Sequence, residues 1–114
     1  MKKYKEIILD GLESRNFELL QIQNEVDYLP WWIEERWLIE SCQKSARLYL
    51  TFLTEKHWES GTKFVDEIVL SNRPMEQYTD RECILLSISM NKGIFEEKLN
   101  AFWTQFEKLI QKLD

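Results

Sequence analysis

Apolar residues follow a helical period at both ends of the chain. At the N-terminal end, Tyr4, Ile8 and Leu12 are spaced four residues apart, which predicts a helix. The apolar stripe near the C-terminal end is longer, and its steps of three and four residues predict an amphipathic helix broad enough to pack on a sheet. Its members are Phe95, Leu99, Phe102, Phe106, Leu109 and Leu113, widened by Trp103 and Ile110.

Between these ends the apolar period changes to two, which predicts strands. From Ile33 onward, Trp37 and Ile39 point to one side and charged residues to the other, namely Glu34, Arg36 and Glu40. The short turn 43–45 fits a hairpin connection after this first strand. Residues 46–54 repeat the alternation, and two further strands are predicted over residues 64–70 and 83–90.

These patterns predict an α+β domain. We expect a four-stranded antiparallel meander with an N-terminal helical segment, and a long amphipathic C-terminal helix packed on one face of the sheet. With three glycines and two prolines, the chain offers no candidate linker. Residues 1–114 are therefore predicted to form a single compact domain.

Two segments leave the secondary structure open. Residues 17–22 fit either a second helix or a short strand. Residues 79–82, with the sequence Thr-Asp-Arg-Glu, fit a capping box that would start a helix in place of the last strand. The alternation of serine with apolar residues over 87–90 favours the strand.

Composition and charge exclude several classes of partner. A chain of 114 residues with 44% hydrophobic side chains is long enough for a substantial core. Its formal net charge of −5 provides no basic footprint for nucleic acid or for an anionic membrane. The apolar run at residues 7–9 is too short for a signal peptide, and no run is long enough to span a membrane. We therefore expect a cytoplasmic protein whose partner is another protein or a second copy of itself.

The sequence offers little for catalysis. His57, the single histidine, lies between Glu55 and Glu59, and these three residues are the one conceivable acid–base or metal-binding trio. A zinc site, however, normally requires further nitrogen or sulfur ligands. Cys42 and Cys83 lack the spacing of a redox or metal motif, and no nucleotide-binding glycine pattern or nucleophile elbow is present. We expect no enzymatic activity, no metal and no cofactor.

The aromatic segment 29–41 predicts a protein-binding surface. Trp31 and Trp32 are adjacent, so in an extended segment their side chains point to opposite sides and one of them faces solvent. Exposed tryptophan beside acidic residues is typical of a docking site for a basic partner. The acidic residues of this segment are Glu34, Glu35 and Glu40.

A second hypothesis is a small-molecule pocket between the sheet and the C-terminal helix. Its lining would consist of Trp37, Phe52, Phe102 and Phe106. The alternative is that these four residues simply fill the core, because protein interiors are normally close-packed.

In size, charge and element order, the chain resembles secretion chaperones, frataxin-like domains and bacterial immunity proteins. The secretion-chaperone pattern includes a helix between the third and fourth strands, where this chain has a short loop. No motif accompanies the resemblance, and it transfers no functional residue. The sequence as a whole predicts a non-catalytic interaction module, either an adaptor, chaperone-like or immunity-like protein or a homodimer.

Overall fold

The computed structural model describes residues 3–24, 29–56, 63–90 and 93–112. In chain order the elements are helix α1 (Tyr4–Ser14), strands β1 (Phe17–Gln23), β2 (Ile33–Ser41), β3 (Arg47–Lys56), β4 (Lys63–Ser71) and β5 (Ile84–Ser89), and helix α2 (Phe95–Lys112). The strands form one antiparallel sheet in the order β1-β2-β3-β4-β5, so each strand pairs with its neighbour along the chain. Within the described ranges, neither helix has the length of apolar sequence needed to cross a bilayer.

The α+β class, the antiparallel sheet and the helices at both ends are confirmed, but the prediction of four strands is wrong because the sheet has five. The additional strand is β1, in the segment that fitted either helix or strand. Leu19 and Ile22 both lie opposite core residues of β2, and Leu20 is an extra residue that shifts the register between them. This bulge places two residues of the same face three positions apart. A spacing of three mimics a helix, which explains the ambiguity of the pattern.

Residues 79–82 form no helix, and β5 follows them as predicted. The side chains of Asp80 and Arg81 in this segment bind residues outside it. Asp80 accepts two hydrogen bonds from the Arg73 guanidinium, at 2.6 and 2.8 Å. Arg81 donates to the Glu67 carboxylate of β4, at 2.9 Å. These contacts tie the segment to Arg73 and to β4.

Both helices pack on the same face of the sheet and enclose the main core. The two helices approach each other at Gly11, where an added Cβ would lie 2.3 Å from Cζ2 of Trp103. The Arg15 guanidinium stacks over that indole, 4.2 Å from the ring centre. The buried helical residues of this core are Ile8 and Leu12 of α1 and Leu99, Phe102, Trp103 and Phe106 of α2.

The opposite face of the sheet carries a smaller cluster. Met75 and Cys83 belong to the connection between β4 and β5, and both are buried against the sheet. They fold segment 72–83 back over this face and bring it next to the residues that precede β2. The full set of buried members is Trp32, Ile33, Leu53, Val69, Met75 and Cys83.

A second bulge lies at the start of β2 and corrects one prediction. Glu34 is an extra residue between the paired positions Ile33 and Glu35. Strict alternation had placed Glu34 on the side opposite Trp37. Because of the bulge, Glu34 and Glu35 both reach the Lys5 ammonium of α1, at 2.6 and 2.8 Å. These contacts fasten α1 to the sheet.

Candidate protein-binding surface

The two adjacent tryptophans differ in burial, one buried and one exposed, but they lie in a turn before β2 and not in an extended segment. Trp32 is 7% exposed and belongs to the smaller core cluster, whereas Trp31 is 52% exposed. Strand β3 holds their backbone in place through Thr54. The Thr54 hydroxyl donates to the Trp31 carbonyl and the Thr54 amide to the Trp32 carbonyl, both at 2.9 Å. Trp31 is therefore presented to solvent from a segment that is fixed to the sheet.

Segment 72–83 adds a second exposed aromatic ring beside these tryptophans. The Tyr78 ring meets the Trp32 indole edge-on, with centroids 6.0 Å apart, and Tyr78 is 42% exposed. The Arg81 guanidinium lies 5.6 Å from the centre of the Tyr78 ring, and Glu67 anchors it. Trp, Tyr and Arg are the residue types that most often dominate binding energy at protein interfaces. We call these residues, Trp31, Trp32, Tyr78 and Arg81, the Trp31–Tyr78 surface.

An acidic depression adjoins this surface. It is an open concavity of about 500 Å³, and Gln77 and Thr79, which flank Tyr78 in sequence, form part of its wall. The described lining residues include three carboxylates and one guanidinium, so the depression has an excess of two negative charges. The other residues of the wall are Arg73, Glu76, Asp80 and Glu82.

The carboxylate of Asp80 organises the depression. Its two hydrogen bonds from Arg73 hold the pKa of Asp80 below its ordinary value and raise that of the Arg73 guanidinium. The Glu76 amide also donates to Asp80, at 3.4 Å. The pair therefore stays ionised over the physiological range and fixes the loop around it. Glu76 and Glu82 are exposed at the wall.

The acidic residues proposed from the sequence are engaged elsewhere. Glu34 and Glu35 bind Lys5, and Glu35 also accepts a bond of 2.5 Å from the Trp37 indole N–H. Burial lowers the pKa of Lys5, but the bonds and charges of the two glutamates outweigh it, so the pKa of Lys5 is raised. Glu40 pairs with Arg47, at 3.2 Å. These glutamates form structural ion pairs, and the carboxylates of segment 72–83 lie beside the exposed aromatics instead.

The residues of the second hypothesis all lie in the main core. Trp37, Phe52, Phe102 and Phe106 are each 5% exposed or less. Trp37 meets Phe52 edge-on at 4.9 Å, and Phe102 stacks on Phe106 at 5.9 Å. The four rings pack against one another in these two pairs within the core. This is the arrangement expected of a filled core.

The candidate chemistry around His57 lies outside the described side chains, as do Glu55 and Glu59. Over the part of the chain that is described, no group of three or more His, Cys, Asp or Glu residues is arranged to hold a metal ion. Cys42 is an exposed free thiol and Cys83 a buried one.

Sequence reasoning proposed Trp31 and Trp32 but did not include Tyr78, Arg81 or the depression. Segment 72–83 is polar and irregular, so its composition indicated only a loop. The signal that could have been used is the apolar pair Met75 and Cys83 within that segment. Two buried anchors in an otherwise polar connection indicate a loop packed on the sheet, and Tyr78 lies between them.

Comparison of the chain with protein-family models, with curated proteins and with solved structures gives no significant match.

Proposed function

We propose that this chain is a non-catalytic protein-binding module, which recognises a basic and partly apolar segment of another protein at the Trp31–Tyr78 surface. The observation that carries the proposal is the position of exposed Tyr78, which packs on Trp32 and lies in sequence between two residues that line a depression with excess negative charge. Exposed Trp31 precedes Trp32 directly in the chain. Aromatic anchors supply contact area at low conformational cost, and the carboxylates would pair with lysine or arginine of the partner.

The contacts that hold the aromatic residues in place also favour binding. Trp32 is buried beneath the surface, and Thr54 holds the preceding backbone. Tyr78 rests on Trp32 rather than projecting freely. Anchors that are already ordered lose little side-chain entropy on association. The surface therefore resembles a prepared binding site more than a scatter of single exposed aromatics.

Charge favours a different protein over a second copy as the partner. In a symmetric dimer the same patch meets itself, so two depressions with excess negative charge would come close together. Like charges at an interface are unfavourable. We therefore propose a basic partner. The experiment below also tests for a homodimer through this surface. We place this function in the cytoplasm, which the two free thiols support.

Photo-crosslinking from the surface tests the proposal directly. A benzophenone amino acid replaces Tyr78 in one variant and Leu20, an exposed apolar residue of β1, in the control. We expect a specific crosslinked protein from position 78 and none from position 20 in the native cells. Trp31→Ala should weaken the purified complex by about tenfold or more, since truncating an aromatic anchor has effects of that size.

The variant must keep its fold for this result to count. Trp31 is half exposed, so Trp31→Ala should unfold at nearly the same temperature as the wild type. A complex that survives both Trp31→Ala and Tyr78→Ala with unchanged affinity would rule out this surface. A crosslink between two copies of the chain would replace the basic partner by a homodimer.

A further inference from the structure

The outer edge of β5 is a second surface that could pair with another chain. The Met90 amide donates to the Asp66 carbonyl of β4, at 2.8 Å. In an antiparallel pair the peptide groups of alternate residues point to the partner strand. Ile88, opposite Ile68, therefore bonds inward as Met90 does. The peptide groups of Ser87 and Ser89 consequently point away from the sheet.

Helix α2 runs beside this edge and leaves an open groove of about 360 Å³ between the two elements. Ile88 and Phe102 are buried at its base, and Leu86 is half buried. A strand edge next to a helix is the geometry in which an extended peptide can add to a sheet. We call this site the β5–α2 groove; its lining is residues 86–89 of β5 and Lys98, Ala101, Phe102 and Gln105 of α2.

Lys98 gives the groove a charge opposite to that of the whole chain. Among the described residues that line the groove, Lys98 is the one charged side chain. Its ammonium donates to the Ser89 carbonyl, at 2.7 Å, and an ammonium has two further donors. Glu96 and Glu97 lie in the same first turns of α2 but do not line the groove. An occupant with a carboxylate at this end would be complementary to Lys98.

Lys98 also determines where pairing with the edge must stop. It occupies the outward carbonyl of Ser89, so an added strand can use the amide and carbonyl of Ser87 and the amide of Ser89. Beyond that point the incoming chain meets the ammonium. A second copy of β5 does not satisfy this requirement, because residues 84–89 carry no carboxylate.

We propose that the β5–α2 groove binds an extended peptide segment of another protein, which pairs with the edge at Ser87 and places a carboxylate against Lys98. This site differs in position and in charge from the Trp31–Tyr78 surface. It gives the chain a second and independent binding function.

Selection from a random library of peptides of about ten residues, a length that spans the strand edge, tests the proposal. We expect wild-type protein to select peptides with alternating apolar residues and an aspartate, a glutamate or a free carboxyl terminus at one end. Amidated and free-acid versions of the selected peptides distinguish the two sources of carboxylate. Lys98→Glu should reverse the preference to peptides with a basic end, with a change in relative affinity of about tenfold or more.

Three controls separate this proposal from other outcomes. Lys108→Glu changes the same charge on an exposed position of α2 and should leave the selection unchanged. Ala101→Trp fills the groove and should abolish binding, while its unfolding temperature shows whether the fold is kept. Trp31→Ala should leave peptide binding at the β5–α2 groove unchanged. The two proposed binding sites can therefore fail independently of each other. The proposal is overturned if the library yields no binders, or if Lys98→Glu selects the same peptides as the wild type.

Discussion

At the scale of single residues, the contact between Gly11 and Trp103 shows how one side chain can dictate the identity of another. A glycine inside a helix is about 1 kcal/mol less favourable than alanine. In α1 it is required because the Trp103 indole occupies the space of a Cβ. The ring itself is 8% exposed and is covered by Arg15, so it has little room to move.

We therefore expect Gly11→Ala to destabilise the protein despite its better helix propensity. The steric cost of an added methyl group in a packed site is about 1–3 kcal/mol, which exceeds the propensity gain. Urea unfolding measures the difference. Glu13→Ala, an exposed change in the same helix, is the control and should cost little.

A double mutant tests the cause of that loss. Trp103→Leu is itself destabilising, but it removes the atoms that Gly11 approaches. In the Trp103→Leu background, Gly11→Ala should cost clearly less than it does in the wild type. An equal cost in both backgrounds would show that Trp103 is not the reason for the glycine.

Lys5 is the second residue whose role can be isolated. Its ammonium faces the carboxylates of Glu34 and Glu35. Lys5→Met keeps most of the side-chain length but leaves two adjacent carboxylates without this cation. Hydrogen bonds to charged groups contribute about 1.5–3 kcal/mol, so we expect a loss of that order in unfolding free energy.

The pH dependence of that loss follows from the raised pKa of Lys5. A group whose pKa is higher in the folded protein contributes stability that is fully present below its unfolded value, 10.5. The contribution is lost as the pH rises through the folded pKa. The stability gap between wild type and Lys5→Met should therefore stay constant up to about pH 10.5 and shrink above it, as the pH rises through the raised pKa of folded Lys5. A gap that stays constant above pH 10.5 would contradict this assignment.

At the scale of elements, the sequence was enough to predict four strands, β2 to β5, and the aromatic stripe of α2. Alternation is regular in only part of the sheet, because β4 buries the consecutive residues Ile68, Val69 and Leu70 on both faces. β1 stayed ambiguous because the extra residue Leu20 disrupts its period of two. A bulge depends on pairing with β2, which is a non-local interaction that a single strand's pattern does not contain.

The candidate site was predictable only in part. The exposure of one of Trp31 and Trp32 was expected from alternation, but both lie in a turn closed by the bond from the Ile33 amide to the Pro30 carbonyl, so alternation is not the cause. The position of Tyr78 depends on how Met75 and Cys83 pack across the sheet. The bulge at Glu34 likewise redirects a carboxylate that alternation placed on the other face. Sequence patterns determine local periods, whereas these contacts are set by tertiary packing.

Met75 should keep segment 72–83 in a fixed position on the sheet. Its side chain is 2% exposed and anchors the segment on the second core cluster. Met75→Ala leaves a cavity there, at an expected cost of about 2–4 kcal/mol. Hydrogen exchange should accelerate in segment 72–83 more than in α2, and affinity at Tyr78 should fall although no contact residue has changed. Leu20→Ala, which truncates an exposed side chain, should produce neither effect. Uniform acceleration across all elements would indicate that Met75 is not a local anchor.

At the scale of the whole molecule, the chain presents two surfaces of opposite charge. The depression beside Tyr78 has excess carboxylates, whereas the β5–α2 groove has Lys98. The overall charge of −5 adds repulsion between copies. This net repulsion favours association with other proteins over self-association.

We expect light scattering of the purified protein to give the mass of one chain, 13.9 kDa. The mass should not rise with concentration in low salt, where repulsion between like charges is strongest. A dimer that Trp31→Ala dissociates would show that the Trp31–Tyr78 surface binds its own copy. A dimer that Trp31→Ala leaves intact would place the self-association on another surface.

The order of the elements along the chain has a consequence for protein synthesis. Every strand pairs with its sequence neighbour, so the sheet can assemble progressively while the ribosome extends the chain. The helix-covered face includes Leu50 and Phe52, and it lacks the cover of α2 until residue 112 has emerged. During that interval a nearly complete sheet exposes its apolar face. Ribosome-bound chains halted before α2 should therefore recruit general chaperones, and chains released at that point should aggregate.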